Sequence, residues 1–153
     1  MQNRIYSFSL FLTFLIISFV CGCTAQDNGA QGLLNEGARL FQQGKYDEAI
    51  LKYKQAVEKD PGSAIGYNLL GMAYRFKFNQ SGTRECKNKE IESFKKAIGI
   101  DSSFWAAYKN LSASLYYEGR KKEAVPYLER ALELQPDDPE KAILLKWIEE
   151  GKK

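Results

Sequence analysis

Between residues 31 and 134 apolar side chains recur every three or four positions, the spacing of helices with one buried stripe. The pattern predicts helices near 31–43, 46–59, 64–78, 88–100, 104–117 and 120–134. They fall into pairs, and Gly44 and Gly119 stand at two of the turns within pairs, where a left-handed backbone is met most easily by glycine. A last amphipathic stretch, 139–153, carries Ile143, Leu144, Trp147 and Ile148 at helical spacing behind Pro139 and an Asp cap. One apolar and one polar face suit it to closing the end of a stack. Residues 5–20 differ: there the run is apolar without a polar face, and at about 16 residues it is shorter than the roughly 20 that span a bilayer as a helix.

The pairs repeat. "GKYDEAILKYKQAVEKDPGS" (44–63) aligns with "GRKKEAVPYLERALELQPDD" (119–138), matching Gly44 to Gly119, Ala49 to Ala124, Ala56 to Ala131 and Pro61 to Pro136. "EIESFKKAIGIDSS" (90–103) repeats the second half of the unit, and "LLNEGARLFQQG", "YNLLGMAYRFKF" and "YKNLSASLYYEG" repeat the first. This unit resembles the tetratricopeptide repeat, whose period is about 34 residues. The resemblance covers 30–63, 64–104 and 105–138. Its small residue falls on Gly37, Gly71 and Ser112, its aromatic on Tyr53 and Phe94 (Leu128 in the third unit), and its second alanine on Ala56, Ala97 and Ala131. The resemblance implies an all-α fold, a right-handed α-solenoid of three helix pairs over 31–138 closed by a capping helix.

Three departures stand out. The second unit is longer than the others, and its additional residues, around 78–90, carry Asn79, Ser81, Gly82 and Asn88, which read as a polar loop or as an extended first helix. Glu90 stands where the repeat has alanine. Pro126 lies inside a helix, removes one backbone hydrogen bond, and is expected to bend it.

Composition narrows the chemistry. The chain has no histidine, so a Ser-His-Asp triad, a Cys-His pair and an HExxH zinc helix are all excluded. No glycine-rich phosphate loop or CxxC pair occurs, and a net charge of +3 spread along the chain gives no ground for nucleic-acid binding. No enzyme activity, cofactor or metal is expected. Cys86 is a lone thiol in the repeat region and is read as inert.

The opening segment reads as an address. Arg4, the apolar run and the small residues after it describe a secretory signal peptide over 1–22. Val20-Cys21-Gly22-Cys23 resembles the bacterial lipobox, with Cys23 as its invariant cysteine. That resemblance implies lipidation at Cys23, a short tether over 23–30, and a membrane-anchored protein of the cell envelope. Thr24, where an Asp would imply inner-membrane retention, points to the periplasmic side of an outer membrane. The competing readings are an uncleaved anchor, a plain signal peptide cut nearby, and a metal or disulfide pair.

The resemblance also implies a concave groove lined by the first helix of each pair. Its inward positions are Gln31, Leu34, Asn35, Ala38, Phe41 and Gln42, then Ile65, Asn68, Leu69, Met72, Arg75 and Phe76, then Ala106, Lys109, Asn110, Ala113, Tyr116 and Tyr117. Asn68, Met72, Arg75, Lys109, Asn110 and Tyr116 are the candidate peptide-binding residues, the amides for a partner's backbone and the cations for a carboxylate. Members that bind chaperone tails carry a Lys-Asn-Asn-Lys-Arg clamp; the matching positions here hold Leu34, Ala38, Leu69, Ala106 and Asn110, so that ligand is not expected. The expected function is a scaffold binding a protein or peptide segment in envelope assembly or secretion. The alternative is an accessory subunit of an envelope enzyme complex that uses its convex face or the basic residues of 78–90.

Overall fold

The computed structural model describes residues 29–153, so the apolar leader, Cys23 and most of the tether lie outside the described residues. Those described form α1 (Ala30–Gln42), α2 (Tyr46–Lys59), α3 (Ala64–Ser81), α4 (Arg84–Ile100), α5 (Trp105–Tyr117), α6 (Lys121–Leu134) and α7 (Lys141–Lys152). Successive helices pack as hairpins, α1 on α2, α3 on α4, α5 on α6, and the hairpins stack through α2 against α3 and α4 against α5. This is the all-helical solenoid that the repeats predict.

Small residues set the spacing. A Cβ built on Gly37 would lie 2.6 Å from the Tyr53 ring, and one on Gly71 would lie 2.6 Å from the Phe94 ring. Each glycine thus seats an aromatic from the second helix of its own pair. Tyr53 is buried deeply enough that loss of water pushes its hydroxyl up to about 12. In the third pair a Ser112 and Leu128, both fully buried, replace the glycine and ring. Ala49 and Ala124 are wholly buried too, as close helix contact requires. Gly44 and Gly119 adopt φ of 73° and 77°, and their N–H groups close the preceding helices onto Phe41 and Tyr116 carbonyls.

Residues 78–90 do not form a loop. α3 runs on to Ser81 and α4 begins at Arg84, so the additional residues lengthen both helices. One left-handed residue suffices for the reversal: Gly82, at φ 65°, donates its N–H to the Phe78 carbonyl at 2.7 Å. Glu85 and Lys89 pair across one helical turn at 2.5 Å, and Arg84 pairs with Glu118 at the end of α5, fastening the tip. The basic side chains of this segment therefore have partners within the fold.

α6 continues through Pro126 as one helix. Proline there forgoes the bond to the Lys122 carbonyl, and both residues lie on the exposed side of the helix. α7 begins at Lys141, two residues after Pro139, because Asp138 accepts the Glu140 N–H (2.7 Å) in a preceding turn. Leu144 and Ile148 bury against α6, and Gly151 sits so close to Val125 and the Lys121 carbonyl that a Cβ would lie 2.5 and 2.6 Å away. Among the described residues no helix is long and apolar enough to cross a membrane.

Candidate functional site

The odd-numbered helices α1, α3 and α5 meet along one face. The Phe41 and Phe76 rings are 5.0 Å apart at a steep angle, with Tyr46 beside both, and Asn110 donates to Asn68 at 3.0 Å. These contacts bring Phe41 to Phe76 and Asn68 to Asn110 between neighbouring odd-numbered helices. Their side chains fall into three groups with different freedom.

The first group is a polar cluster between α3, α4 and α5. Arg75 donates through Nε to Glu90 (2.8 Å), through Nη1 to the Asn110 side chain (3.2 Å), and through Nη2 to the Asn110 carbonyl (2.6 Å) and Ser114 Oγ (2.8 Å). Ser114 also donates to Glu90. Glu90 is fully buried, and its second oxygen pairs with Lys87 Nζ at 2.6 Å. Asn68 is buried beneath, its amide against the Met72 sulfur at 3.9 Å. Of the candidates, then, Asn68, Met72, Arg75 and Asn110 come together, with their polar atoms turned to one another.

The second group is Lys109, which reaches Asp138 (3.0 Å) and Glu140 (3.0 Å) beyond α6 and lies over the Trp105 ring at 5.7 Å. Burial pulls its ammonium down, but hydrogen bonds to Glu140 and Asp138 outweigh this and hold it above the ordinary lysine range. Burial pushes Asp138 up, while the Glu140 N–H and Lys109 pull it further down, below the usual carboxylate range. The third group is Tyr116, stacked on Trp147 at 4.3 Å and donating to Glu150 at 2.5 Å, which also pairs with Lys121 at 2.6 Å. The hydrogen bond to Glu150, then burial, raises the Tyr116 hydroxyl.

What remains uncovered on this face is mixed, apolar on α3 and α5 and amide on α1. Ile65 is 59% exposed, Phe76 39% and Tyr117 75%. Asn35 and Gln42 on α1 are exposed as well. The sequence reading did not assign Glu90, Lys87 and Ser114 to this face; the signal was there in a charged residue at a position the repeat fills with alanine. Among the described residues no group of three or more Cys, Asp or Glu is placed to hold a metal ion.

Comparison with known proteins bears on this arrangement. A family model described as TPR repeat matches residues 37–75, and one described as Tetratricopeptide repeat matches 105–138. The small glutamine-rich tetratricopeptide repeat-containing protein 2 of Mycosarcoma maydis is 30% identical over 109 residues, 71% of this chain and 29% of that protein. Human RNA polymerase II-associated protein 3 is 29% identical over 69% of this chain and 15% of its own length. The chain thus spans less than a third of these curated relatives. Among solved structures, the first TPR of Spaghetti (RPAP3), bound to an HSP90 peptide, superposes with a TM-score of 0.70 at 28% identity, covering 80% of this chain and 92% of that one. MamA protein superposes at 0.69 and 25% identity, covering 84% and 67%.

Proposed function

The chain is a tetratricopeptide-repeat protein, a protein–protein interaction module, and from that premise we propose that it is a membrane-anchored scaffold whose inward face holds an extended segment of a partner protein. One observation carries the reading: Ile65, Phe76 and Tyr117 stay exposed on the face where α1, α3 and α5 meet. Apolar side chains in such a row gain about 25 cal/mol for each Å² that a partner removes from water. Gln42 is an amide available to a partner's backbone, and Asn35, whose Oδ1 accepts from Gln31 at 3.0 Å, keeps its NH2 for one, since Asn68 and Asn110 hold each other.

The solved relative bound to an HSP90 peptide supports peptide binding by this fold. Its ligand does not transfer. At the positions where the resemblance places a carboxylate clamp, Leu34 is buried, Ala38, Leu69 and Ala106 carry no charge, and Asn110 is engaged by Asn68 and Arg75. The partner is therefore read through apolar contacts along its length, not through its chain end. Anchoring rests on the Cys23 lipobox resemblance and sets the module to work in the envelope, in assembly or secretion.

Affinity capture of the full-length protein from detergent-solubilised membranes tests both parts. Ile65→Asp with Tyr117→Ser is expected to lose at least about tenfold of whatever the unaltered protein retains, as burying an unpaired charge in an apolar contact demands. Cys23→Ser is expected to lose acyl labelling and leave the membrane fraction. Full retention by the groove variant removes the groove reading, and persistent labelling of Cys23→Ser removes the anchor.

A further inference from the structure

A cleft of ≈ 410 Å³ opens between the lengthened end of the α3–α4 hairpin and α5, walled in part by Arg75, Phe78, Arg84, Lys87, Ser114 and Tyr117. Arg75 and Tyr117 belong to the inward row, so the cleft continues the groove. Lys87 is only 6% exposed. Its ammonium has three donors, yet it meets only one Glu90 oxygen, at 2.6 Å, and the face of the Phe78 ring at 4.5 Å. Glu90 has little more to give, because its other oxygen already accepts from Arg75 and Ser114. A buried ammonium that meets one carboxylate oxygen and a ring face at the wall of a cleft has donors left for a further acceptor.

Charge agrees. Arg75, Arg84 and Lys87 face only two carboxylates, Glu90 and Glu118, and Glu118 is shared with Arg120 at 3.4 Å. The Arg84 side chain is 71% exposed and has Glu118 as its one partner among the described residues, reached through a single nitrogen. One positive charge is left over, which suits a carboxylate better than a phosphate monoester carrying about −1.5 to −2.

We propose that this cleft receives an acidic side chain of the segment held in the groove, with Lys87 and Arg84 pairing its carboxylate and Tyr117 alongside. The inference deepens the groove reading and rests on it. The probe is blocked glutamate (N-acetylglutamate N′-methylamide), with blocked glutamine as the neutral control, titrated into isotope-labelled full-length protein in detergent micelles. Blocking removes both chain ends, so only the side-chain carboxylate differs. Saturable amide shifts at Lys87, Ser114 and Tyr117 are expected from glutamate and not from glutamine. Lys87→Met and Arg84→Gln are each expected to weaken them about tenfold, the loss of one charge-assisted hydrogen bond. Arg84 lies on the surface, so its variant reads the site even if Lys87→Met unfolds. Equal shifts from both probes, or glutamate shifts that neither variant alters, overturn the proposal. Loss of glutamate binding with capture by the groove intact removes the acid site alone; loss of capture in Ile65→Asp with glutamate shifts intact concerns the groove alone.

Discussion

The α1–α2 and α3–α4 hairpins answer the same packing problem differently. In the first, Gly37 admits the Tyr53 ring and Ala49 is wholly buried, so two backbones approach with no buried charge between them, the Lys52–Glu36 pair lying at the partly exposed edge. In the second, Gly71 admits Phe94 in the same way, but the alanine's place is taken by Glu90. A buried carboxylate needs partners, and it recruits Arg75 from α3, Lys87 from α4 and Ser114 from α5. The difference teaches that one charged residue at a small-residue position turns a steric contact into a network spanning two repeats. Inward-facing side chains that another repeat would present to a ligand are here committed to the fold.

That comparison can be broken. Glu90→Ala restores the repeat's own residue but strands two cations, one of them buried, and is expected to destabilise by about 3 kcal/mol in denaturant unfolding followed by circular dichroism. Adding Arg75→Met and Lys87→Met is expected to recover most of that loss, because an apolar cluster then replaces the ionic one. If Glu90→Ala alone is neutral, the network is ornamental and the two hairpins are alike. Gly71→Ala comes next, at about 2 kcal/mol, since the fully buried Phe94 ring has nowhere to move.

The smallest effect sharpens the contrast with a partly exposed pair. Asp138 is depressed below its ordinary 3.8, so its contribution is present above that pH and is lost as pH falls through the folded value. Lys109 is raised above 10.5, so its contribution is complete below that and is lost as pH rises through the folded value. The pair thus stabilises from about pH 4 to about pH 10, and Asp138→Asn is expected to flatten the acid limb of the thermal-unfolding profile by a few degrees at most, as a pair with a side chain 23% exposed allows.

The repeat architecture was legible because its determinants are local and steric: Gly37, Gly71, Ala49 and Ala124 each mark a close approach by their size. The lengthened hairpin was harder to read. Asn79, Ser81 and Gly82 have the composition of a loop, yet a single left-handed glycine reverses the chain and the rest stay helical. Phe41 meets Phe76, and Asn68 and Arg75 meet Asn110, but how far these side chains are free was not legible. Arg75 is committed by residues 15 and 39 positions away, and no local pattern shows which donors such distant partners fill.

The central claim is that a partner lies along the inward face. Site-specific photo-crosslinking in intact membranes tests it most directly, with a benzoylphenylalanine placed at Tyr117, 75% exposed on α5, and separately at Leu51, 54% exposed on α2. The account predicts that Tyr117 yields a discrete crosslinked partner and Leu51 yields none. A partner captured from Leu51 and not from Tyr117 would contradict it and move the interaction to the even-numbered helices.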